Sequence, residues 1–314
     1  MLAVALACAC GTTHAQKYPA KQIRLIVPYT PGGPTDILAR AVGQALTDAW
    51  GQPVIVENRP GASGNVGTAI GVKAPADGYT LNMASISFAV APVLDGKAGF
   101  DPVKDFAPIT LLATVNNLLV VHPSLPVKSV RELIAFAKAR PAQVTFASGG
   151  PGGAQHLAGE LFNSMAGIKM THIPYRGSAP GLTALIGGEV IVGFSDMLIS
   201  LQHVKSGKLR ALAVTGAERS ALIPELSTIA ESGLPGYAVT AWFGLLAPAG
   251  TPPDIIAQIN SEVVKSFRTP QMKERLAALG ADPVGSTPDQ LAAFIKTEMA
   301  KWAKVVKAAG IRAE

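Results

Sequence analysis

The chain of 314 residues has only two cysteines, Cys8 and Cys10, and both lie within its first ten residues. The remainder has no thiol, so it can form no disulfide and offers no thiolate nucleophile or metal ligand. Metal and redox chemistry lose most of their usual ligands. We therefore expect neither a metal nor a cofactor.

Charged and aromatic side chains are also scarce. Charged residues make up 15% of the chain and aromatic residues 6%, whereas typical soluble domains are roughly 25% charged. The net charge of +6 favours an anionic small molecule or nucleic acid as a ligand. However, the Lys and Arg residues are scattered, and no aromatic residues interleave with them as base stacking would require. We therefore expect no nucleic-acid partner.

No hydrophobic run is long enough to span a bilayer, which needs about twenty apolar residues. Residues 2–10 are apolar but short, and small residues at 13–15 stand where a signal peptidase would cut before Gln16. We interpret residues 1–15 as a secretion signal. The segment has no Lys or Arg, which leaves the true start codon and cleavage site open. Lipidation of either cysteine and a frayed N-terminus of a cytosolic protein are the alternatives.

The composition that remains is typical of an α/β protein. The 32 Gly and 24 Pro imply many tight turns, and 48% hydrophobic residues suffice for a large core. Short β-branched runs alternate with amphipathic stretches, as in βαβ units. Residues 23–27 predict a strand, and residues 35–50 have the apolar spacing of a helix. The same order of strand, glycine-rich loop and helix recurs at residues 144–166.

The recurrence predicts two lobes. A turn at residues 122–126 restarts the alternation, and an apolar crossing at residues 241–247 precedes C-terminal helices that return to the first lobe. We expect lobe 1 to comprise residues 16–120 and 241–314, and lobe 2 to comprise residues 121–240. Two chain crossings between the lobes form a hinge.

Glycine-rich loops stand between predicted strands and helices. Such loops expose unpaired backbone N–H groups beside the positive end of a helix dipole, so they bind anions without a cationic side chain. A tight turn without ligand accounts for any single loop equally well, but in an open α/β sheet such loops face one crevice. The glycines concerned are Gly32 and Gly33, Gly61 and Gly64, Gly149, Gly150, Gly152 and Gly153, and Gly177.

Few charged residues accompany these loops. Asp36 falls in the first turn of its helix, where we expect it to accept amide hydrogen bonds. Alternatively, it holds a ligand's ammonium group or an ordered water. Arg59 and Arg176 are the cations nearest the expected crevice, although arginines in such places more often lie on the surface.

Motifs of the common enzyme classes are absent. The chain has no Gly-x-Ser-x-Gly elbow, no Ser-x-x-Lys, no His-Glu-x-x-His and no Walker lysine. We therefore do not expect an enzyme. The alternative is a secreted enzyme that uses His156 with Glu160, four residues apart on one helix, although an ordinary helix-surface contact accounts for that spacing more simply.

The chain resembles the periplasmic solute-binding components of tripartite tricarboxylate transporters, also called the Bug family, over essentially the whole mature chain. Together the shared motifs are highly specific. In the first lobe they are Ile23-Arg24-Leu25-Ile26-Val27-Pro28, Pro31-Gly32-Gly33-Pro34-Thr35-Asp36, Glu57-Asn58-Arg59-Pro60-Gly61-Ala62-Ser63-Gly64 and Ala76-Asp77-Gly78-Tyr79-Thr80-Leu81. In the second lobe they include His156-Leu157-Ala158-Gly159-Glu160-Leu161-Phe162, Pro174-Tyr175-Arg176-Gly177 and Glu231-Ser232-Gly233-Leu234-Pro235-Gly236-Tyr237.

The resemblance implies a type II periplasmic binding-protein fold that closes on a small carboxylate: a di- or tricarboxylate, an amino acid or an aromatic acid. It implies a periplasmic monomer that delivers this ligand to membrane permease subunits; a component that presents the ligand to a sensor is the alternative. The first glycine loop is expected to hold one carboxylate, largely through backbone groups and ordered waters. The positions implied for the site are Tyr29, Thr30, Gly32, Gly33, Asp36, Ser63, Asn65, Ser85, Ser148, Gly153, His156, Tyr175, Gly177 and Asp196.

The sequence departs from the family pattern in two places. Relatives commonly have Phe-Asp-Asn where this chain has Phe194-Ser195-Asp196, so the acidic group is displaced by one residue. The stretch Ser85-Ile86-Ser87-Phe88 is less polar than the family's, which puts a role for Ser87 in doubt. We expect the first departure to affect what the far end of the ligand must offer.

Overall fold

Strands and helices alternate along the chain in the computed structural model, which describes residues 18–94, 98–278 and 280–311. The predicted signal segment, residues 1–15 with both cysteines, lies outside the described residues. Among the helices that are described, none is both long and apolar enough to cross a bilayer. The strands are β1 (Ile23–Val27), β2 (Val54–Asn58), β3 (Thr80–Ser85), β4 (Phe106–Val121), β5 (Thr145–Ser148), β6 (Thr171–Pro174), β7 (Val192–Asp196), β8 (Arg210–Val214), β9 (Thr240–Pro248) and β10 (Ala281–Pro283).

The α-helices complete the α/β class that the sequence predicts, and a short 3-10 helix, Ala62–Gly64, precedes the second of them. They are α1 (Pro34–Trp50), α2 (Asn65–Val72), α3 (Ile86–Leu94), α4 (Val130–Lys138), α5 (Ala154–Ala166), α6 (Ser178–Ile186), α7 (Met197–Lys205), α8 (Pro253–Phe267), α9 (Pro270–Ala278) and α10 (Pro288–Ala309).

Proline and glycine set the ends of α1. Pro34 begins the helix, where its missing N–H removes a donor that has no intrahelical partner anyway. Gly51 follows the last residue in the left-handed conformation, with φ at 67°. Between them, Leu38, Val42 and Leu46 are fully buried, and the helix packs against β2 and α8. Apolar spacing therefore identifies this helix to within one residue of its observed start.

Strand β4 belongs to both halves of the sheet, whose order is β2-β1-β3-β9-β4-β7-β5-β6. Residues 106–116 pair with antiparallel β9, and residues 117–121 pair with antiparallel β7 and β8. Sequence patterning predicts a strand only at residues 118–121. The observed strand begins twelve residues earlier, at Phe106. It can include Pro108 because its register with β9 shifts just after this residue, and a missing backbone donor is tolerated at such a shift. The lobe limits at residues 120 and 240 stay a prediction.

Each half of the sheet contains three parallel strands. In one half β1 lies between β2 and β3, and in the other β5 lies between β6 and β7. Helices follow the carboxyl ends of β1, β5 and β6 after short loops, and those of β3 and β7 directly. Because such ends meet at one crevice in an open α/β sheet, this arrangement brings the glycine loops of both halves together.

A buried acid fastens the C-terminal helix to the sheet. Glu298 of α10 is 7% exposed, and its Oε2 accepts hydrogen bonds from Trp242 Nε1 (3.1 Å) and Trp302 Nε1 (2.9 Å). Trp242 lies on β9 and Trp302 on α10. One carboxylate oxygen thus satisfies two indole N–H groups that burial would otherwise leave without an acceptor.

Replacing Glu298 with Leu should lower the free energy of unfolding by roughly 2–4 kcal/mol, because both indole donors lose their buried acceptor. Glu298→Gln keeps an acceptor oxygen and should cost clearly less. Urea unfolding followed by tryptophan fluorescence measures both effects. A Leu variant as stable as the wild type would contradict this role of Glu298.

Candidate functional site

A cleft opens where the carboxyl ends of the parallel strands meet β9. The cavity that it encloses has a volume of about 60 Å³. Helices α1, α3, α5, α6 and α7 all begin at this central cleft. Its lining residues are Tyr29, Thr30, Gly33, Pro34, Thr35, Ser85, Ile86, Ser87, Gly149, Gly153, Ala154, Gln155, Gly177, Ser178, Asp196, Ala241, Trp242 and Phe243.

Three of the helices that begin at the cleft have no side-chain cap. Glycine precedes α1, α5 and α6, at Gly33, Gly153 and Gly177, and none of these helices has a side-chain cap. By contrast, Ser129 caps α4 and Thr287 caps α10, and neither residue lines the cleft. Uncapped N–H groups and positive dipole ends favour an anion. The cleft therefore suits a negatively charged group.

Three hydroxyl groups cluster on one wall of the cleft. Tyr29 Oη lies 2.7 Å from Ser85 Oγ and also contacts Ser87 Oγ, and the two serine oxygens are 3.2 Å apart. Burial raises the pKa of Tyr29 above its ordinary value, so the phenol stays protonated. Ser87, whose role the sequence leaves in doubt, lines the cleft with the other two.

On the other wall a buried carboxylate, Asp196, stands at the start of α7 and is 3% exposed. Gln155 Nε2 donates to its Oδ2 at 2.9 Å, and the Gly149 N–H in turn donates to Gln155 Oε1 at 2.6 Å. Burial raises the pKa of Asp196 to about 6, although hydrogen bonds from Ser178 and Gln155 oppose the shift. A negative charge on Asp196 is thus costly in the protein without ligand.

Lys and Arg are absent from the described residues that line the central cleft. Arg59 pairs with Glu57, with Nη2 3.0 Å from the carboxylate. Arg176 lines a second cavity of about 530 Å³ that shares Tyr29, Gly149 and Gly177 with the central cleft. The residues that line only the second cavity are Pro28, Pro60, Gly61, Ala62, Ser63, Gly64, Gly150, Pro151, Pro174, Tyr175 and Arg176.

The two walls touch at Gly177. Its φ is 122°, a conformation that favours glycine, and a Cβ there would overlap Thr30 Oγ1. Gly177 precedes α6, whereas Thr30 lies in the loop before α1. Glycine thus lets the loops from the two halves of the sheet approach each other above the cleft.

The structure brings only part of the expected site together. The positions that line the central cleft are Tyr29, Thr30, Gly33, Ser85, Gly153, Gly177 and Asp196. Two others, Ser63 and Tyr175, line the second cavity. The positions that line neither are Gly32, Asp36, Asn65, Ser148 and His156.

Asp36 organises the first glycine loop from behind. Its carboxylate accepts hydrogen bonds from the Gly32 N–H (3.0 Å), from Arg40 and from Asn58 Nδ2. The hydrogen bonds from Arg40, Gly32 and Asn58 outweigh burial and hold the pKa of Asp36 below its ordinary value. This is the amide-accepting role that its place in the first helical turn indicates.

His156 is turned away from the cleft. Its Nδ1 accepts a hydrogen bond from the Gly152 N–H (3.0 Å), and its ring lies 4.2 Å from that of His172. Glu160 lines a separate pocket at the far end of α5. The pair suggested by the sequence is therefore not aimed at the central cleft. Within the described residues, no group of three or more His, Cys, Asp or Glu side chains is placed to hold a metal ion.

Sequence reasoning missed several lining residues. Ser178 directly follows Gly177, and Gln155 stands two residues after Gly153, so the glycine loops give a partial signal for them. Phe243 gives none, because it reads as part of an apolar strand. Such a residue is found only when β9 is placed beside β3.

Comparisons with known proteins agree on one family. The family model described as "Tripartite tricarboxylate transporter family receptor" matches residues 38–311. Protein BugT of Bordetella pertussis is 40% identical over 311 residues, covering 98% of this chain and 95% of BugT. A protein of Agrobacterium vitis, from the TAR-I ttuE-ttuC' intergenic region, is 34% identical, covering 93% of this chain and 86% of the relative.

Solved structures share the fold. Rpa4515 of R. palustris with adipate is 38% identical, with a TM-score of 0.92, covering 94% of this chain and 99% of that chain. MatC of Rhodopseudomonas palustris, with bound malate, is 31% identical with a TM-score of 0.88, covering 92% of this chain and all of that one. Another similar structure is the periplasmic binding protein BugD, at 32% identity and a TM-score of 0.90, covering 95% of this chain and 100% of that chain. The periplasmic binding-protein fold expected from the sequence is confirmed.

Asp196→Asn should stabilise the protein without ligand at pH 8 by about 1–3 kcal/mol, because it removes a buried charge. The folded-state pKa of Asp196 is raised, so its charge costs stability above pH 6. As pH falls through 6 the folded protein binds a proton that the unfolded chain does not yet bind, and the cost declines. The advantage of the variant should therefore shrink between pH 8 and pH 4. Denaturant unfolding across this range measures it, and an advantage that does not depend on pH would contradict the assignment.

Proposed function

This chain belongs to the tripartite tricarboxylate transporter receptor family, and we propose that it captures a small carboxylate in the central cleft. The observation that carries the proposal is the set of helix starts at Gly33, Gly153 and Gly177, which expose uncapped N–H groups to a cleft whose described lining residues include no Lys or Arg. Similar proteins whose structures are described with adipate and with malate support the carboxylate class.

In the proposed complex, residues 29–33 between β1 and α1, the Tyr29 loop, hold one carboxylate. The carboxylate oxygens of the ligand would accept hydrogen bonds from the hydroxyls of Tyr29, Ser85 and Ser87 and from backbone N–H groups at the start of α1. Thr30 Oγ1 also supports this placement, since it is buried and has no hydrogen-bond partner among the described residues. Neutral donors and dipole ends would thus replace the water around the anion.

We further propose that closure of two lobes completes the site. Residues 16–120 with 241–314 would form one lobe and residues 121–240 the other, with the hinge near the middle of β4 and the start of β9. The contact between Gly177 and Thr30 is the kind of close approach that a closed state requires. The protein would act as a periplasmic monomer, exported after loss of residues 1–15, that delivers its ligand to permease subunits and catalyses no reaction.

Isothermal titration with ligand-free, refolded protein tests the carboxylate class. We expect at least one of a panel of short mono- and dicarboxylates, amino acids and aromatic acids to bind with micromolar or better affinity. The corresponding amides, which lack the anionic group, should not bind. If no carboxylate gives heat, the proposed function fails.

Gly33→Val should abolish most of this binding without unfolding the protein. A Cβ at Gly33 has Thr30 O, at 3.7 Å, as its nearest neighbour, so the added methyl groups would point into the cleft rather than into the core. Gly33→Ala should have a smaller effect of the same sign. Titration together with a thermal melt separates loss of binding from loss of fold. Unchanged affinity in the Val variant would place the carboxylate elsewhere.

A further inference from the structure

Asp196 is the one carboxylate side chain among the described residues that line the central cleft, and it lies on the wall away from the Tyr29 loop. Ser85 ends β3 and Asp196 ends β7, and β9 and β4 separate these two strands in the sheet. A ligand whose carboxylate contacts Tyr29 and Ser85 and that extends across the cleft toward β7 would present its other end to Asp196.

The surroundings of Asp196 leave it able to accept a further hydrogen bond. Gln155, itself oriented by the Gly149 N–H, donates to Oδ2, and Ser178 provides a second side-chain hydrogen bond. A carboxylate has about four acceptor positions. The backbone N–H of Asp196 donates as well, so three protein donors orient the group and leave about one acceptor position for a ligand.

The charge of Asp196 matters because, in the part of the chain that the structure describes, no Lys or Arg lines the cleft to offset it. A ligand that places a second carboxylate about 4 Å from Asp196 would bind roughly 5- to 1,000-fold more weakly because the two negative charges repel each other, with the size of the effect set by the local dielectric constant. A hydroxyl or ammonium group at the same place would instead donate a hydrogen bond to the carboxylate.

We infer that Asp196 selects, within the carboxylates of the proposed function, ligands that carry a hydrogen-bond donor at their far end and rejects dianions at neutral pH. This inference rests on the proposed function, because it takes the first carboxylate to lie at the Tyr29 loop. Asp196 is thus a specificity-determining residue, and Gln155 and Ser178 are its positioning residues.

Selection against dianions should weaken in acid, as Asp196 takes up a proton and becomes a donor itself. Tyr29 lies on the facing loop and His172 on β6, whereas α5 carries His156 and Glu160 and α7 carries His203 and Lys205 in its last turn. Glu160 lines a separate pocket. Burial raises the pKa of Tyr29 and lowers that of His172 to about 4, so both stay neutral between pH 5 and 8. His156 lies against His172 rather than in the cleft. Asn117 of β4, which pairs with Asp196, does not titrate.

Two matched series test the inference by isothermal titration at pH 8 and pH 5. The six-carbon series is 6-hydroxyhexanoate, 6-aminohexanoate, adipate and hexanoate, and the four-carbon series carries the same end groups. At pH 8 the wild type should bind a hydroxyl or amino member at least tenfold more tightly than the dicarboxylate and the unsubstituted acid of equal length. The hydroxyl and amino members distinguish a neutral donor from a cationic one.

Asp196→Asn provides the decisive comparison. It should bind the dicarboxylate at least tenfold more tightly than the wild type does at pH 8. The wild type should gain affinity for the dicarboxylate between pH 8 and pH 5 because both Asp196 and the ligand take up protons. In Asp196→Asn only the ligand titrates, so the gain in affinity should be smaller. Asp282→Asn is a matched control, because burial also raises the pKa of Asp282 but the residue lies on β10, outside the cleft lining.

The outcomes separate the two proposals. Carboxylate binding that is indifferent to the end group, or equal in wild type and Asp196→Asn at both pH values, overturns the role of Asp196 and leaves the proposed function intact. If no member of either series binds and the broader carboxylate panel also fails, the proposed function falls, and the inference falls with it.

Discussion

The continuity of β4 is the constraint on which the rest of the structure depends. Its first part pairs with β9 and its last five residues pair with β7 and β8, so one strand joins the two parallel-strand groups into a single sheet. Because of this shared strand, the carboxyl ends of β1 and β3 face those of β5, β6 and β7. The cleft exists where these ends meet, and its polar groups come from helices that begin there.

The cleft combines weak anion-binding groups instead of a few strong ones. Uncapped helix starts and hydroxyls supply neutral hydrogen-bond donors in place of the charge of Lys or Arg. An anion can therefore be bound although the ligand-free cleft holds no permanent positive charge among its described lining residues. Asp196 is the exception among these neutral groups, because its buried negative charge is unfavourable in the cleft. A buried ionisable group with a shifted pKa that faces a cleft is typical of functional sites, which agrees with the inferred role of Asp196 in specificity.

Much of the local structure follows from short stretches of sequence. The start and end of α1 depend on Pro34 and Gly51, and the glycine loops mark where helices begin. Long-range pairing accounts for the failures. The first part of β4 contains Pro108, which argues against a strand until β9 supplies a register shift that tolerates it. His156 lies in the first turn of α5, which begins at the cleft, yet its ring packs against His172 of β6.

The sequence by itself determined the α/β alternation, the family and the glycines at the helix starts, because each depends on residues close together in the chain. It left the role of Asp36 open between an amide acceptor and a ligand contact. Only the tertiary structure decided which side chains share the cleft. Asp196, Gln155 and Ser178 come from β7, α5 and α6, and they meet because strand pairing sets those elements side by side. Strand alternation sends the side chain of Asp196 into the cleft lining and that of Ser195 to the other face, and the position of a strand within the folded sheet decides which face is the cleft.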